Sequence, residues 1–185
     1  MGVDSGLPDF RGREGFWKAY PVAEKLGLSF QELANPRWFH ADPELAWAFY
    51  GHRLNLYRKT SPHEGFTLLK NFGERLKKGY FIFTSNVDGQ FQRAGFDPQR
   101  VVECHGSIHH SQCTKRCCRE IFDEKSLQVD VDLEHFKAIA PLPVCPRCNS
   151  TLRPNILMFG DGEWISDRTE AQEERLNHWI EMLRM

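Results

Sequence analysis

Six cysteines fall between Cys104 and Cys148, and the rest of the 185-residue chain has none. That crowding constrains the fold more than any other feature. Cys145-Pro-Arg-Cys148 is a close pair, and Cys113 with Cys117 makes a second pair upstream. Tetrahedral zinc takes four soft thiolates from two such turns, so the spacing predicts a closed, structural zinc site with no open position for water. Reading the cysteines as small buried hydrophobes leaves the pairing and the prolines at 141, 143 and 146 unexplained. Cys118 adjoins Cys117 and leaves the choice between them open, although the shorter spacing from Cys113 favours Cys117. Cys104, in strand context beside His105, reads as a buried, inert thiol.

Disulfides are the other use of clustered cysteines, and they belong to oxidising compartments. The N-terminus, MGVDSGLPDF, has no charged segment followed by an apolar core, which points to a cytoplasmic protein with reduced thiols. No apolar run approaches the length of a membrane span. A net charge of -1, with 41% hydrophobic and 26% charged residues, is an ordinary globular balance. It supplies no basic field for nucleic acid.

Local patterns predict alternating helices and strands. Residues 29–59 read as helical, with capping-box spacing at Ser29-Phe-Gln-Glu32 and an N-cap followed by proline at Asp42-Pro43. Ser61-Pro-His-Glu64 gives a further helix start, with Phe66, Leu69 and Leu76 on a shared face. Tyr80-Phe-Ile-Phe-Thr84 suits a buried parallel strand, Val101-Val-Glu103 a second and residues 156–159 a third. Residues 166–185 read as an amphipathic helix with Leu176, Trp179, Ile180 and Leu183 inward. Such alternation around a cysteine-rich insert at 107–150 indicates an α/β domain with a parallel sheet.

Four further segments carry chemistry. They are Ser5-Gly-Leu-Pro-Asp-Phe-Arg11, Thr84-Ser-Asn-Val-Asp-Gly89 followed by Ala94-Gly95, Cys104-His-Gly-Ser107, and Arg153-Pro-Asn-Ile-Leu-Met-Phe-Gly-Asp161. Together with the cysteine module, and in this order, they resemble the sirtuin family over nearly the whole chain. The resemblance implies a partial Rossmann-like, NAD-binding domain formed by residues 1–106 and 151–185. A helical insert at 13–60 and a zinc-ribbon insert at 107–150 would interrupt it. It implies an NAD-dependent protein-lysine deacylase that releases nicotinamide and O-acyl-ADP-ribose, with NAD as co-substrate, zinc as structural metal and an acyl-lysine protein or peptide as partner.

The same resemblance assigns roles to residues. His105 is the base that activates a ribose hydroxyl, a task suited to a side chain titrating near neutrality. Asn86 and Asp88 hold the nicotinamide ribose and carboxamide, and Ser85 belongs to the same cofactor-binding loop. Phe10 covers the reacting ribose face, Asp9 orders its loop and Arg11 meets the phosphates as a planar, bidentate donor. Phe159 and Gly160 pair by main chain with an extended substrate peptide. His109 and His110 read as ordinary surface residues.

The sequence departs from the family pattern in three places. Ser85 stands where most members carry glutamine, and Asp161 where they carry glutamate. The Gly-Ala-Gly phosphate turn with its strand would precede Met1, and the segment that cradles adenosine would follow Met185. The expectation is therefore a truncated chain: inactive by itself, poorly folded and prone to aggregate, with a zinc module that still forms. Two rivals stay open, a protein mono-ADP-ribosyltransferase using the same NAD cleavage and a non-catalytic zinc-ribbon fragment.

Overall fold

The structure is a computed structural model and describes residues 2–8, 15, 18–25 and 27–184. Asp9, Phe10 and Arg11 lie outside the described residues.

The helical stretch at 29–59 is three helices. These are α2 (Phe30–Leu33), α3 (Trp38–Ala41) and α4 (Pro43–Lys59), preceded by α1 (Pro21–Lys25). Pro36 and Pro43 explain the breaks, because proline lacks a donor and turns the preceding residue away from helix. The Ser29–Glu32 capping box forms, and the Asp42 side chain accepts the Leu45 amide at 3.0 Å. Helix α5 (Glu64–Glu74) starts later than Ser61: His63 is its cap, accepting the Gly65 amide on Nδ1 at 3.0 Å. Of the face expected to be buried, Phe66 is, whereas Leu69 and Leu76 are 46% and 44% exposed.

Strand β1 (Ile82–Thr84) pairs in parallel with β2 (Val101–Glu103), with Thr84 opposite Glu103. The short helix α6 (Gln90–Arg93) lies between them in sequence. The predicted third parallel strand at 156–159 is not there. The strand is β7 (Leu152–Ile156), and it runs antiparallel to β3 (Gly106–Cys113), which also pairs with β4 (Ile121–Asp123). Pro154 explains β7's place at the edge of that three-stranded sheet, since it cannot donate to a further ladder. A small antiparallel pair, β5 (Val131–Asp132) and β6 (Lys137–Ala138), completes the cysteine module.

Helix α4 ties the helical segment to that module. Trp47 Nε1 donates to the Leu152 carbonyl at 2.8 Å and Asn55 Nδ2 to the Val129 carbonyl at 2.7 Å. Gly51 lets Val129 approach so closely that a β-carbon there would stand 2.7 Å from its Cγ1. The main core accordingly joins Phe39, Trp47, Phe49, Tyr50 and Leu54 to Ile108, Val129, Phe136 and Ile156. A separate cluster of Phe66, Phe96 and Val101 seats α5 against the parallel pair.

The terminal helix, α7 (Asp167–Leu183), packs otherwise than its apolar pattern predicts. Its buried residues are Thr169 and Gln172, while Leu176, Trp179 and Ile180 are half-buried and Leu183 is 37% exposed. Among the described residues, no helix is long and apolar enough to cross a membrane.

Candidate active site and metal centre

His105 sits in a two-residue turn between β2 and β3, at the carboxyl ends of two parallel strands. In open α/β sheets that is where binding crevices form. The turn is held from both sides: the Cys104 amide donates to the Thr84 carbonyl, and the Leu157 amide to the His105 carbonyl, each at 3.0 Å. Gly106 follows with φ +77, and a β-carbon on it would meet the Asn155 carbonyl oxygen at 2.1 Å. Only glycine fits this position. Cys104 lies in the turn rather than the strand and is half-buried, with its thiol pushed up by burial.

The loop from Thr84 to Gly89 leaves β1 beside that turn. The Asn86 amide folds back onto Thr84 Oγ1 at 3.1 Å, and Ser85 is exposed. A bulge in β3, where pairing with β7 skips from Ser107 to Ser111, turns residues 108–110 toward this loop. The Ile108 amide donates to the Val87 carbonyl at 3.0 Å, and His109 Nε2 bonds the Asp88 carbonyl at 2.9 Å. Asp88 is 7% exposed and accepts the Gln90 amide on Oδ1 at 3.0 Å. Burial raises its carboxyl pKa, and the charge of nearby Glu103 adds to the rise.

His109 and His110 are therefore not ordinary surface residues. Burial lowers the pKa of both, that of His110 to about 4 with the Arg168 charge contributing. The His110 Nδ1 is enclosed without a hydrogen-bond partner. The signal that could have flagged them is their place directly after the Gly106 turn.

Glu103, two residues before His105, is a site residue the sequence did not reveal. It is 1% exposed, and side chains of α7 meet its amide, its carbonyl and its carboxylate. Its amide donates to Gln172 Oε1 at 2.9 Å, its carbonyl accepts Thr169 Oγ1 at 3.1 Å, and Arg168 Nη2 meets its carboxylate at 2.5 Å.

Phe159 and Gly160 lie past the end of β7. The Phe159 amide donates to the Ala34 carbonyl at 3.0 Å. Phe159 is 47% exposed, with its ring edge-on to Phe30. The segment is anchored by a buried ion pair, Arg153 Nη2 to Asp161 Oδ2 at 2.8 Å, with the two side chains 2% and 0% exposed.

The metal-ligand set is brought together fully. The sulfurs of Cys113, Cys117, Cys145 and Cys148 lie within 4.8 Å of one another. Cys113 and Cys148 are 3.6 Å apart, as are Cys117 and Cys145. A tetrahedral zinc with bonds of about 2.3 Å needs sulfurs roughly 3.8 Å apart. The four thiols fit zinc, and the cluster includes Cys117 and leaves Cys118 outside. Two similar turns present them, with Arg116 at φ 49 and Asn149 at φ 57. Hydrogen bonds from the side chain and backbone of Ser150 lower the Cys148 thiol pKa, whereas the bond to Cys148 raises that of Cys117.

Residues 1–180 match the Sir2 family. The chain belongs to the Sir2 family. It is 35% identical over 170 residues to NAD-dependent protein deacylase 1 of Caldanaerobacter subterraneus subsp. tengcongensis, with 92% of this chain and 61% of that protein covered. Its structure is similar to that of a Sir2 homolog–NAD complex, with a TM-score of 0.67 and 32% identity over 94% of this chain and 60% of that one. It is also similar to a Sir2 bound to acetylated peptide, with a TM-score of 0.60 and 26% identity over 87% of this chain and 56% of that one. This Sir2 chain thus spans about three-fifths of the length of the curated relatives it matches. Its α/β character, parallel strand pair and four-cysteine cluster are those expected of the family.

Proposed function

We propose that the protein is an NAD-dependent protein-lysine deacylase, converting NAD and an acyl-lysine chain to nicotinamide, free lysine and O-acyl-ADP-ribose. The observation that carries the reading is the placement of His105. It occupies the crevice end of the β1–β2 pair, flanked by the Thr84–Gly89 loop and by the segment running to Phe159 and Gly160. An NAD-dependent deacylase and a Sir2 bound to acetylated peptide among the similar proteins support the same substrates.

NAD supplies the activated bond between nicotinamide and ribose. His105 accepts the ribose hydroxyl proton as general base. Asn86 and Asp88 orient the ribose and carboxamide, Asp88 from a pocket where burial strengthens each hydrogen bond. Ser85 is the shorter member of the same loop. Asp9, Phe10 and Arg11 close the cofactor side: Phe10 excludes water, Asp9 orders the loop and Arg11 meets the phosphates. Phe159 and Gly160 receive the substrate main chain. Cys113, Cys117, Cys145 and Cys148 hold a structural zinc, which fixes the module at 107–150 against α4. That module and the helical segment at 13–60 are inserts in an NAD-binding unit of residues 1–106 and 151–185, and the enzyme works in the cytoplasm.

The test is product analysis with NAD and an acetyl-lysine peptide, using protein expressed from its complete reading frame. Nicotinamide and O-acetyl-ADP-ribose in equal amounts are expected. Label from NAD that stays on protein would instead indicate ADP-ribosyl transfer, and no turnover of NAD would leave a zinc module alone.

A further inference from the structure

The cysteine module contains five thiols, not four, where two turns meet. Cys113 and Cys145 are buried and fixed: Cys113 ends β3, and the Cys145 amide donates to the Ser150 carbonyl at 2.7 Å. Cys117 and Cys148 are the exposed members of the set. The two exposed thiols differ in one respect. Beside Cys117, and not beside Cys148 in sequence, stands another thiol: the Cys118 sulfur is 3.9 Å from that of Cys117. That is the separation expected between neighbouring ligands on one zinc, about 3.8 Å.

We infer that Cys118 is a reserve ligand, able to take the coordination position of Cys117 and keep the metal four-coordinate when Cys117 is lost. Cys118 lies outside the present ligand set, so the exchange needs its sulfur to move by no more than the 3.9 Å that separates it from the position it would fill. The segment that must shift is the irregular, mostly exposed stretch 115–118, outside helix and strand, with Arg116 already in the left-handed region. Cys118 gives up its thiol proton to solvent as it binds, and the detached Cys117 takes one up, so charge at the metal is unchanged. Thiolates on the surface are the ones reached by oxidants and alkylating agents. The reserve therefore stands beside an exposed ligand in this site.

This inference rests on the zinc reading above, and the experiment separates the two. Zinc affinity and cobalt-substituted spectra are measured for the wild type, Cys117→Ser, Cys118→Ser and the double variant. Cys118→Ser should match the wild type in metal content. Cys117→Ser should keep the sulfur-to-cobalt absorption of four thiolates and bind zinc at least about tenfold more tightly than the double variant, since losing even a partner outside the ligand shell typically costs about that much. Equal affinities in the single Cys117 variant and the double variant would overturn the reserve role while leaving the zinc site intact. A wild type without metal would overturn both.

A second measurement needs no change at Cys117. Zinc release to a chromophoric chelator should be several-fold faster from Cys118→Ser than from wild type, because nothing then captures the position when Cys117 detaches. Equal release rates would contradict the inference even if the Cys117 variants failed to fold.

Discussion

A β-carbon on Gly106 would stand 2.1 Å from the carbonyl oxygen of Asn155. That contact seats the His105 turn against β7, where Gly106 pairs with Ile156. Gly106→Ala meets both the clash and a left-handed φ of +77. The loss should be at least about 3 kcal/mol of folding stability, from backbone strain plus displacement of β7. Urea unfolding of the purified variant measures it, and a loss under 1 kcal/mol, on the scale of an ordinary surface change, would contradict the packing described.

The Arg153–Asp161 pair anchors the segment leading to Phe159 from a position closed to solvent. Removing one partner strands the other charge, so Asp161→Ala should cost about 3–5 kcal/mol. Replacing both with apolar residues of similar volume should cost much less. Thermal melts of the single and double variants give the comparison.

Stability should fall in mild acid because of His110. Its pKa drops from the ordinary 6.5 to about 4 in the folded chain. The unfolded chain takes up the proton first, so stability is full above the unfolded value and declines as pH falls from about 6.5 toward 4. The effect is up to ~3 kcal/mol. His110→Gln should flatten the stability profile across that window, as read by denaturation at a series of pH values.

Asp88 has the opposite profile. Its carboxyl pKa is raised by burial, so ionisation costs stability at neutral pH, and the cost disappears as acid protonates the folded group. Asp88→Asn keeps an oxygen for the Gln90 amide and removes the charge. It should melt at a higher temperature than wild type at pH 7, with a gain that shrinks in acid, and it should exchange nicotinamide more slowly. Residues tuned for chemistry commonly carry such a stability cost.

Much of this architecture is legible in the sequence because the signals are local. Asp42-Pro43 marks the start of α4, β-branched and aromatic runs mark where β1 and β2 lie, although Phe83 is 61% exposed where the pattern predicts a buried strand, and cysteine spacing marks the metal centre. Strands β3 and β7 are not legible in the same way. Gly106–Cys113 is polar and lacks alternation, and β7 buries Arg153 and Asn155. Those polar groups are tolerated because groups outside the strand meet them: Asp161 pairs with Arg153, and Asn155 Nδ2 donates to Gln112 Oε1 and to the Ile165 carbonyl. Helix α7 misleads for the same reason. Its decisive contacts are the hydrogen bonds of Thr169 and Gln172 to Glu103, which no apolar periodicity reports.

The most direct test of the account is the rate of nicotinamide release with an acetyl-lysine peptide, compared between wild type and His105→Ala in protein expressed from its complete reading frame. Loss of a general base lowers the rate roughly 100- to 10,000-fold. NAD affinity, measured by calorimetry on the same two proteins, should change little, because the role proposed for His105 is in the chemical step. A His105→Ala variant that turns over NAD at near the wild-type rate would contradict the assignment of this site.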